Sequence, residues 1–308
     1  MAVRITRPGK NSLILETPVM PAAGTAGYSE AYRDLCDLDK LGAFVTNPVT
    51  SAPWTPASGT RVVPLEAGVL IHTGLPNPGL SRVLALHRDK WRRLPLPVIL
   101  HLVLTSAEDA RRCMALLEEE DAVDGIELGL NDDLPPAEAA RLVHVAVSCS
   151  EKPLLVRLPF HASVDMAKAI ANAGADGLVA CAPPRGTARD AGGRLVAGRI
   201  YGPLIKPLAL RTAGLIARSA GIPVIGAGGI HSAQDARDYL DAGAVAVQVD
   251  SATWITPHLL ELIARDLGGL VITQPSGALP DEWHPGMGET ERGQRIGGST
   301  TQKDAQNR

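Results

Sequence analysis

Pro223-Val-Ile-Gly-Ala-Gly-Gly-Ile230, followed by His231 and Ser232, decides how this chain is read. A short apolar run ends in Gly226, Gly228 and Gly229, and a helix-like pattern starts at Ser232. Glycines at the end of a buried strand let the backbone turn sharply and approach a ligand. The free N–H groups of such a turn, with the positive end of the next helix, favour a phosphate. Further on, Ala246–Ser251 reads as another strand. In a (β/α)8 barrel the loops after the seventh and eighth strands are neighbours that jointly cradle phosphate. The competing reading is a tight turn with no ligand. Asp250 is the discordant residue, because a carboxylate beside a phosphate repels it. If its side chain points away, the Ser251 N–H can still donate; if it points inward, phosphate binding weakens.

Working outward, six more short apolar runs precede this pair: Pro18–Ala22, Ala43–Val49, Val98–Leu104, Gly125–Leu130, Leu154–Pro159 and Gly177–Ala182. They are almost continuously apolar, as parallel strands covered on both faces should be. Helical patterns lie between most of them, at Ser106–Glu120, Pro135–Ser150, Ser163–Ala173, Pro207–Ala220 and Ser232–Ala242. Three of these run into Gly174, Gly221 and Gly243, a normal helix stop. Alternation through eight units predicts an α/β fold, a TIM (β/α)8 barrel. An open doubly wound sheet is the structural alternative, but its glycine-rich turn belongs after the first strand, where GxGxxG is absent. Residues 1–270 are expected to form the barrel. The polar stretch from about Gln274, within residues 271–308, is expected to be a disordered tail or a docking arm. Thr50–Asn77 reads as a long functional loop.

The bulk properties remove several classes of function. The 308 residues carry 30 basic and 33 acidic side chains, a net charge of -3, which offers no footprint for nucleic acid or an anionic membrane. Aromatic residues make up 3%, too few for a base-stacking surface. Cys36, Cys113, Cys149 and Cys181 contain no CxxC pair, so no metal site is expected. No apolar leader opens the sequence and no apolar run is long enough to span a membrane. Reduced thiols in a cytoplasmic protein are the expectation.

Six segments in order resemble the dihydroorotate dehydrogenases, closest to their class 1 type. They are Pro18-Val-Met-Pro-Ala-Ala-Gly-Thr25, Leu41-Gly-Ala-Phe-Val-Thr46, Gly74-Leu-Pro-Asn-Pro-Gly79, Gly202-Pro-Leu-Ile-Lys-Pro-Leu-Ala-Leu210, the Gly226–Ile230 turn and Ala246-Val-Gln-Val249. The resemblance implies a barrel holding FMN at the C-terminal ends of its strands, with hydride passed from a small substrate to the flavin. Ala22, Ala23 and Gly24 would lie near the ring, with Thr46, His101 and Arg157. Gly202 would flank the ribityl chain, and Gly228, Gly229, Asp250 and Ser251 would surround the phosphate. Arg157 stands where the family has lysine and would stabilise charge at the flavin edge. Relatives of this type are commonly homodimeric, and some recruit a second, electron-transferring subunit with an iron–sulfur centre and FAD.

The substrate side departs from the family pattern. Asn47 replaces a lysine, Ile71 an asparagine, and Cys181 and Ala182 a hydrogen-bonding pair. Gly129-Leu-Asn-Asp-Asp-Leu134 lies where the family carries its cysteine base, leaving Asp132 or Asp133 nearest that place. The same acidic pair also suits a turn before a helix. A site built to hydrogen-bond its substrate loses large factors in specificity when partners go, so dihydroorotate is not the expected substrate. The alternatives are a non-catalytic barrel kept as a subunit, and a flavin-free barrel acting on a phosphorylated metabolite. Other residues have two readings each. His101 is a core histidine or a flavin contact, and His72 a loop residue or a substitute substrate contact. Glu127 is expected to pair with a base inside the barrel and Lys206 to be structural. Cys181 has no evident activator. Arg185 and Arg189 are expected in a solvated flexible loop.

Overall fold

The computed structural model describes residues 2–9, 12–29 and 35–268. The tail expected beyond residue 270 lies outside them. Fifteen strands are described: β1 (Val3–Arg4), β2 (Ile14–Leu15), β3 (Val19–Pro21), β4 (Phe44–Val45), β5 (Val49–Thr50), β6 (Val62–Leu65), β7 (Gly68–Ile71), β8 (Val98–Val103), β9 (Gly125–Gly129), β10 (Leu154–Arg157), β11 (Gly177–Ala180), β12 (Arg185–Arg189), β13 (Leu195–Tyr201), β14 (Val224–Ala227) and β15 (Ala246–Val249). The α-helices are α1 (Leu80–Trp91), α2 (Ala107–Glu118), α3 (Pro136–Val147), α4 (Val164–Asn172), α5 (Lys206–Ser219), α6 (Ala233–Asp241), α7 (Ala252–Ile255) and α8 (Leu259–Leu267).

Eight parallel strands run in the order β3-β15-β14-β11-β10-β9-β8-β4 and form a nearly closed barrel. Across the remaining seam the Gly42 N–H donates to the Val19 carbonyl at 2.8 Å. The predicted strand Ala43–Val49 is divided into β4 and β5, both paired with β8. Pro48 cannot donate to a ladder, and the Asn47 N–H turns away to the Gly27 carbonyl at 2.8 Å. The helices begin where their caps place them. Ser106, Ser163 and Ser232 each accept a backbone N–H three residues on, which satisfies a donor the helix leaves free. Gly174, Gly221 and Gly243 follow the helices with positive φ.

Two cores result. The larger lies between the strands and the surrounding helices, and the smaller fills the barrel. The β1–β2 hairpin plugs the N-terminal end, with Ile5, Leu13 and Leu15 packed on Met20, Val45, Ile99, Leu155 and Val179. The glycines that open β9 and β11 make this possible. A Cβ on Gly125 would sit 2.6 Å from Leu13 Cδ1, and one on Gly177 would sit 2.5 Å from the Ile5 carbonyl oxygen.

The flexible loop expected around Arg185 and Arg189, within residues 183–194, is corrected by the structure. It holds β12 and the turn into β13. The stretch Thr50–Asn77 holds β6 and β7, and together they build the antiparallel sheet β12-β13-β7-β6. Arg185-Gly-Thr-Ala-Arg189 alternates exposed and half-buried positions without a large apolar side chain, so its period of two carries no hydrophobic signal.

Candidate active site

The C-terminal mouth of the barrel is built on one buried carboxylate. Glu127 on β9 stands in register with His101 on β8, and the chain places Arg157 at the end of the neighbouring β10. The His101 Nδ1–H donates to Glu127 Oε1 at 2.7 Å. Gln248 Nε2 on β15 donates to Glu127 Oε2 at 2.5 Å. Arg157 donates through Nη2 to Gln248 Oε1 at 2.9 Å, and its Nε lies 3.6 Å from Glu127 Oε1 without a hydrogen-bond partner. Burial alone would push the Glu127 carboxyl up. The Arg157 charge and the hydrogen bonds from His101 and Gln248 outweigh it and hold the group at about 2. Glu127 is therefore a fixed anion that orients Arg157 and His101, and it is a poor proton acceptor. Gly129 clears the space for the histidine ring, since a Cβ there would lie 2.7 Å from His101 Nε2. The His101 N–H donates to Thr46 Oγ1 at 3.1 Å, which ties β8 to the end of β4.

Asp132, expected as a base, is held by two arginines. Arg185 Nε donates to its Oδ2 at 2.8 Å and Arg199 Nη1 to its Oδ1 at 2.9 Å. The carboxylate thus fastens the β12–β13 hairpin to the mouth of β9, and both of its oxygens are engaged. Lys206 bridges Asp235 and Asp238 and joins α5 to α6. Cys181 is buried and burial raises its thiol to about 12, so it stays protonated. His72 is exposed at the end of β7.

At the phosphate end the glycines are explained by packing. Gly229 has φ +65, and a Cβ on it would lie 2.5 Å from the Lys206 backbone nitrogen; at Gly228 it would lie 3.0 Å from Ala209 Cβ. The start of α5 therefore presses on this turn from behind. Gly202 (φ +140) would bring a Cβ to 2.4 Å from the Ala67 carbonyl oxygen, so it seats the β6–β7 hairpin against the same turn. Asp250 points back onto its own neighbour. Its Oδ1 accepts the Ser251 N–H at 2.6 Å and the Ser251 Oγ–H at 3.1 Å. Of the two orientations left open by the sequence, the structure shows the one in which Asp250 engages the Ser251 donors. Tyr201, tilted against Trp254 with ring centroids 5.1 Å apart, lies within electrostatic reach of Asp250 and Arg157. Gln248, Tyr201 and Trp254 escaped the sequence reading. A lone glutamine in the apolar run Ala246–Val249 is the signal that would have found the first.

These side chains do not fit FMN as they stand. Thr46, His101, Arg157 and Ser251 are covered by the protein's own atoms, Arg157 to 6% exposure, and Ala22 is buried with them, while Ala23 is half-buried and Gly24 exposed. At the other end the Ser251 N–H is taken and a carboxylate stands beside it. Two like charges about 4 Å apart cost about 4 kcal/mol at an effective dielectric of about 20. A hydrogen bond to a charged group returns only about 1.5–3 kcal/mol.

The fold and mouth define an α/β-barrel protein with a buried cation–carboxylate cluster where barrel enzymes keep their active sites. The family model described as dihydroorotate dehydrogenase matches residues 11–270. The chain is 35% identical over 272 residues to the protein named dihydroorotate dehydrogenase B (NAD(+)), catalytic subunit, of Pelobacter propionicus, covering 83% of this chain and 90% of that one. The protein of the same name from Bacillus thuringiensis is 32% identical over 286 residues, covering 87% and 92%. This chain belongs to the dihydroorotate dehydrogenase family, oxidoreductases of CH–CH groups that typically bind FMN. Among the described residues no helix is long and apolar enough to cross a membrane, and no cluster of His, Cys, Asp and Glu is arranged to hold a metal.

Proposed function

We propose that this chain works within its family's reaction class, removing hydrogen across a CH–CH bond of a small substrate other than dihydroorotate. The observation that carries this reading is the Arg157 guanidinium. It is buried at the end of β10, hydrogen-bonded to Gln248 through Nη2, and its Nε lies 3.6 Å from Glu127 Oε1 without making a hydrogen bond. A fixed, desolvated cation stabilises negative charge that builds up on a bound ligand during the reaction. FMN, when bound, supplies the hydride chemistry of this class. Dihydroorotate is disfavoured by the side chains facing the substrate. The base loop has no cysteine, Asp132 is committed to Arg185 and Arg199, and Cys181 and Ala182 bring no amide donors. The relatives' names point to a second subunit that exchanges electrons with NAD(+), and a partner of that kind is part of the proposal.

The burial of Thr46, Arg157 and Ser251 favours a second reading, a barrel kept as a subunit without turnover. Asp250 weighs equally against a phosphorylated metabolite at that end. The two readings separate in one assay. The full chain, held in saturating FMN, is given dihydroorotate and a panel of small saturated acids and amides, and flavin bleaching is followed without oxygen. The first reading expects no oxidation of dihydroorotate above free FMN, and a rate with another donor that is lost in Arg157→Ala. No bleaching with any donor, from a folded chain, sinks it in favour of the second.

A further inference from the structure

We propose that Asp250 sets ligand choice at this mouth: it disfavours a phosphate and favours a ligand whose matching end is uncharged and bears hydroxyl groups. The proposal rests on the reading of the mouth as a flavin seat, and it concerns only the end formed by β14 and β15.

Three observations converge on it. The Asp250 carboxylate is buried, and its Oδ1 holds both the backbone N–H and the hydroxyl of Ser251, the donors a phosphate would need. Gly228 and Gly229 owe their missing side chains to Ala209 and Lys206 behind them, so the glycine turn survives without any anion in front of it. Tyr201 and Trp254 bring two rings to the same edge, which suits an apolar or hydroxylated chain better than a hydrated dianion. The carboxylate is an acceptor, so it can take a hydrogen bond from a ligand hydroxyl. His231, just after the turn, keeps a buried Nε2 with no protein partner and is near enough for Asp250 to feel its charge.

Riboflavin and FMN share the ring and ribityl chain and differ in the terminal phosphate, so their affinity ratio isolates this end of the seat. Both are titrated into the full chain by flavin fluorescence quenching, in the native sequence, Asp250→Asn and Asp250→Gly. The native chain is expected to bind FMN no more tightly than riboflavin. Asp250→Gly is expected to shift the ratio at least tenfold toward FMN, about 1.4 kcal/mol, and Asp250→Asn to shift it less. Native binding of FMN tenfold or more tighter than riboflavin overturns the proposal, and so does an unchanged ratio in a folded Asp250→Gly chain. If none of the three takes up either flavin, the titrations are repeated with Tyr201→Ala added. Failure of Tyr201→Ala/Asp250→Gly to take up FMN overturns the proposal as well. A chain that binds flavin with the expected ratio but oxidises no donor leaves this inference standing and removes only the catalytic reading.

Discussion

Two buried carboxylates, Glu127 and Asp250, lie at one mouth and titrate in opposite directions. Glu127 is held at about 2, against an ordinary 4.5, because Arg157, His101 and Gln248 favour its charged form more than burial opposes it. Its contribution to stability is therefore present above about 4.5 and is lost as pH falls toward 2. Asp250 is raised above its ordinary 3.8 by burial, which the Ser251 hydrogen bonds and the Arg157 charge only partly offset. Its contribution is full below 3.8 and is lost as pH rises through its folded value. Glu127→Gln, which leaves Arg157 buried without its anion, is expected to cost about 3–5 kcal/mol at neutral pH, read by urea denaturation. A cost below about 1 kcal/mol would show that water already reaches the cluster. Asp250→Asn keeps an oxygen for the Ser251 N–H and removes the buried charge. Its melting temperature at pH 7 is expected to exceed the native one by about 2–4 °C, the shift about 1 kcal/mol gives a domain of this size. The gain shrinks below pH 3.8, and a gain that persists there contradicts the assignment.

At the scale of elements, the hairpins at the two ends of the barrel differ in kind. The β1–β2 plug is held by close packing, so Gly177→Ala, which forces a Cβ against the Ile5 carbonyl and Leu155, is expected to destabilise by about 1–3 kcal/mol in the same assay. An unchanged unfolding midpoint would mean that the plug is loosely seated. The β12–β13 hairpin is tied down by Asp132 through Arg185, which is mostly exposed, and Arg199. Exposed ion pairs contribute little, so Asp132→Ala is expected to cost under about 1 kcal/mol yet speed proteolytic cutting within residues 183–199. Equal cutting rates would assign the docking to the β7 ladder instead. This contrast explains what was legible in the sequence. The eight barrel strands and the capped helices announce themselves through apolar runs, serine caps and glycine stops. Residues 62–71 and 185–201 do not, because their faces are half-solvated and the ladder that joins the two hairpins, β13 with β7, links residues distant in the chain. The expected pairing of Glu127 with a base inside the barrel is seen, with His101 on β8, Glu127 on β9 and Arg157 at the end of β10. The orientation of Asp250 was not legible, because one torsion of one side chain leaves no mark on sequence periodicity.

At the scale of the whole molecule, a dihydroorotate dehydrogenase barrel carries a buried cation at its mouth, with Thr46, Arg157 and Ser251 largely covered. The scaffold needs only apolar patterning, close packing and caps, which tolerate wide substitution. A cofactor seat needs a few polar atoms in place, and here Asp250 engages the Ser251 N–H and hydroxyl itself. The measurement that bears on this most directly is the flavin retained per polypeptide after the full chain is incubated with excess FMN and freed of unbound flavin by gel filtration. The buried Asp250 carboxylate beside the Ser251 donors predicts retention far below one flavin per chain, rising when Asp250→Gly and Tyr201→Ala are combined. Stoichiometric FMN on the native chain would contradict it.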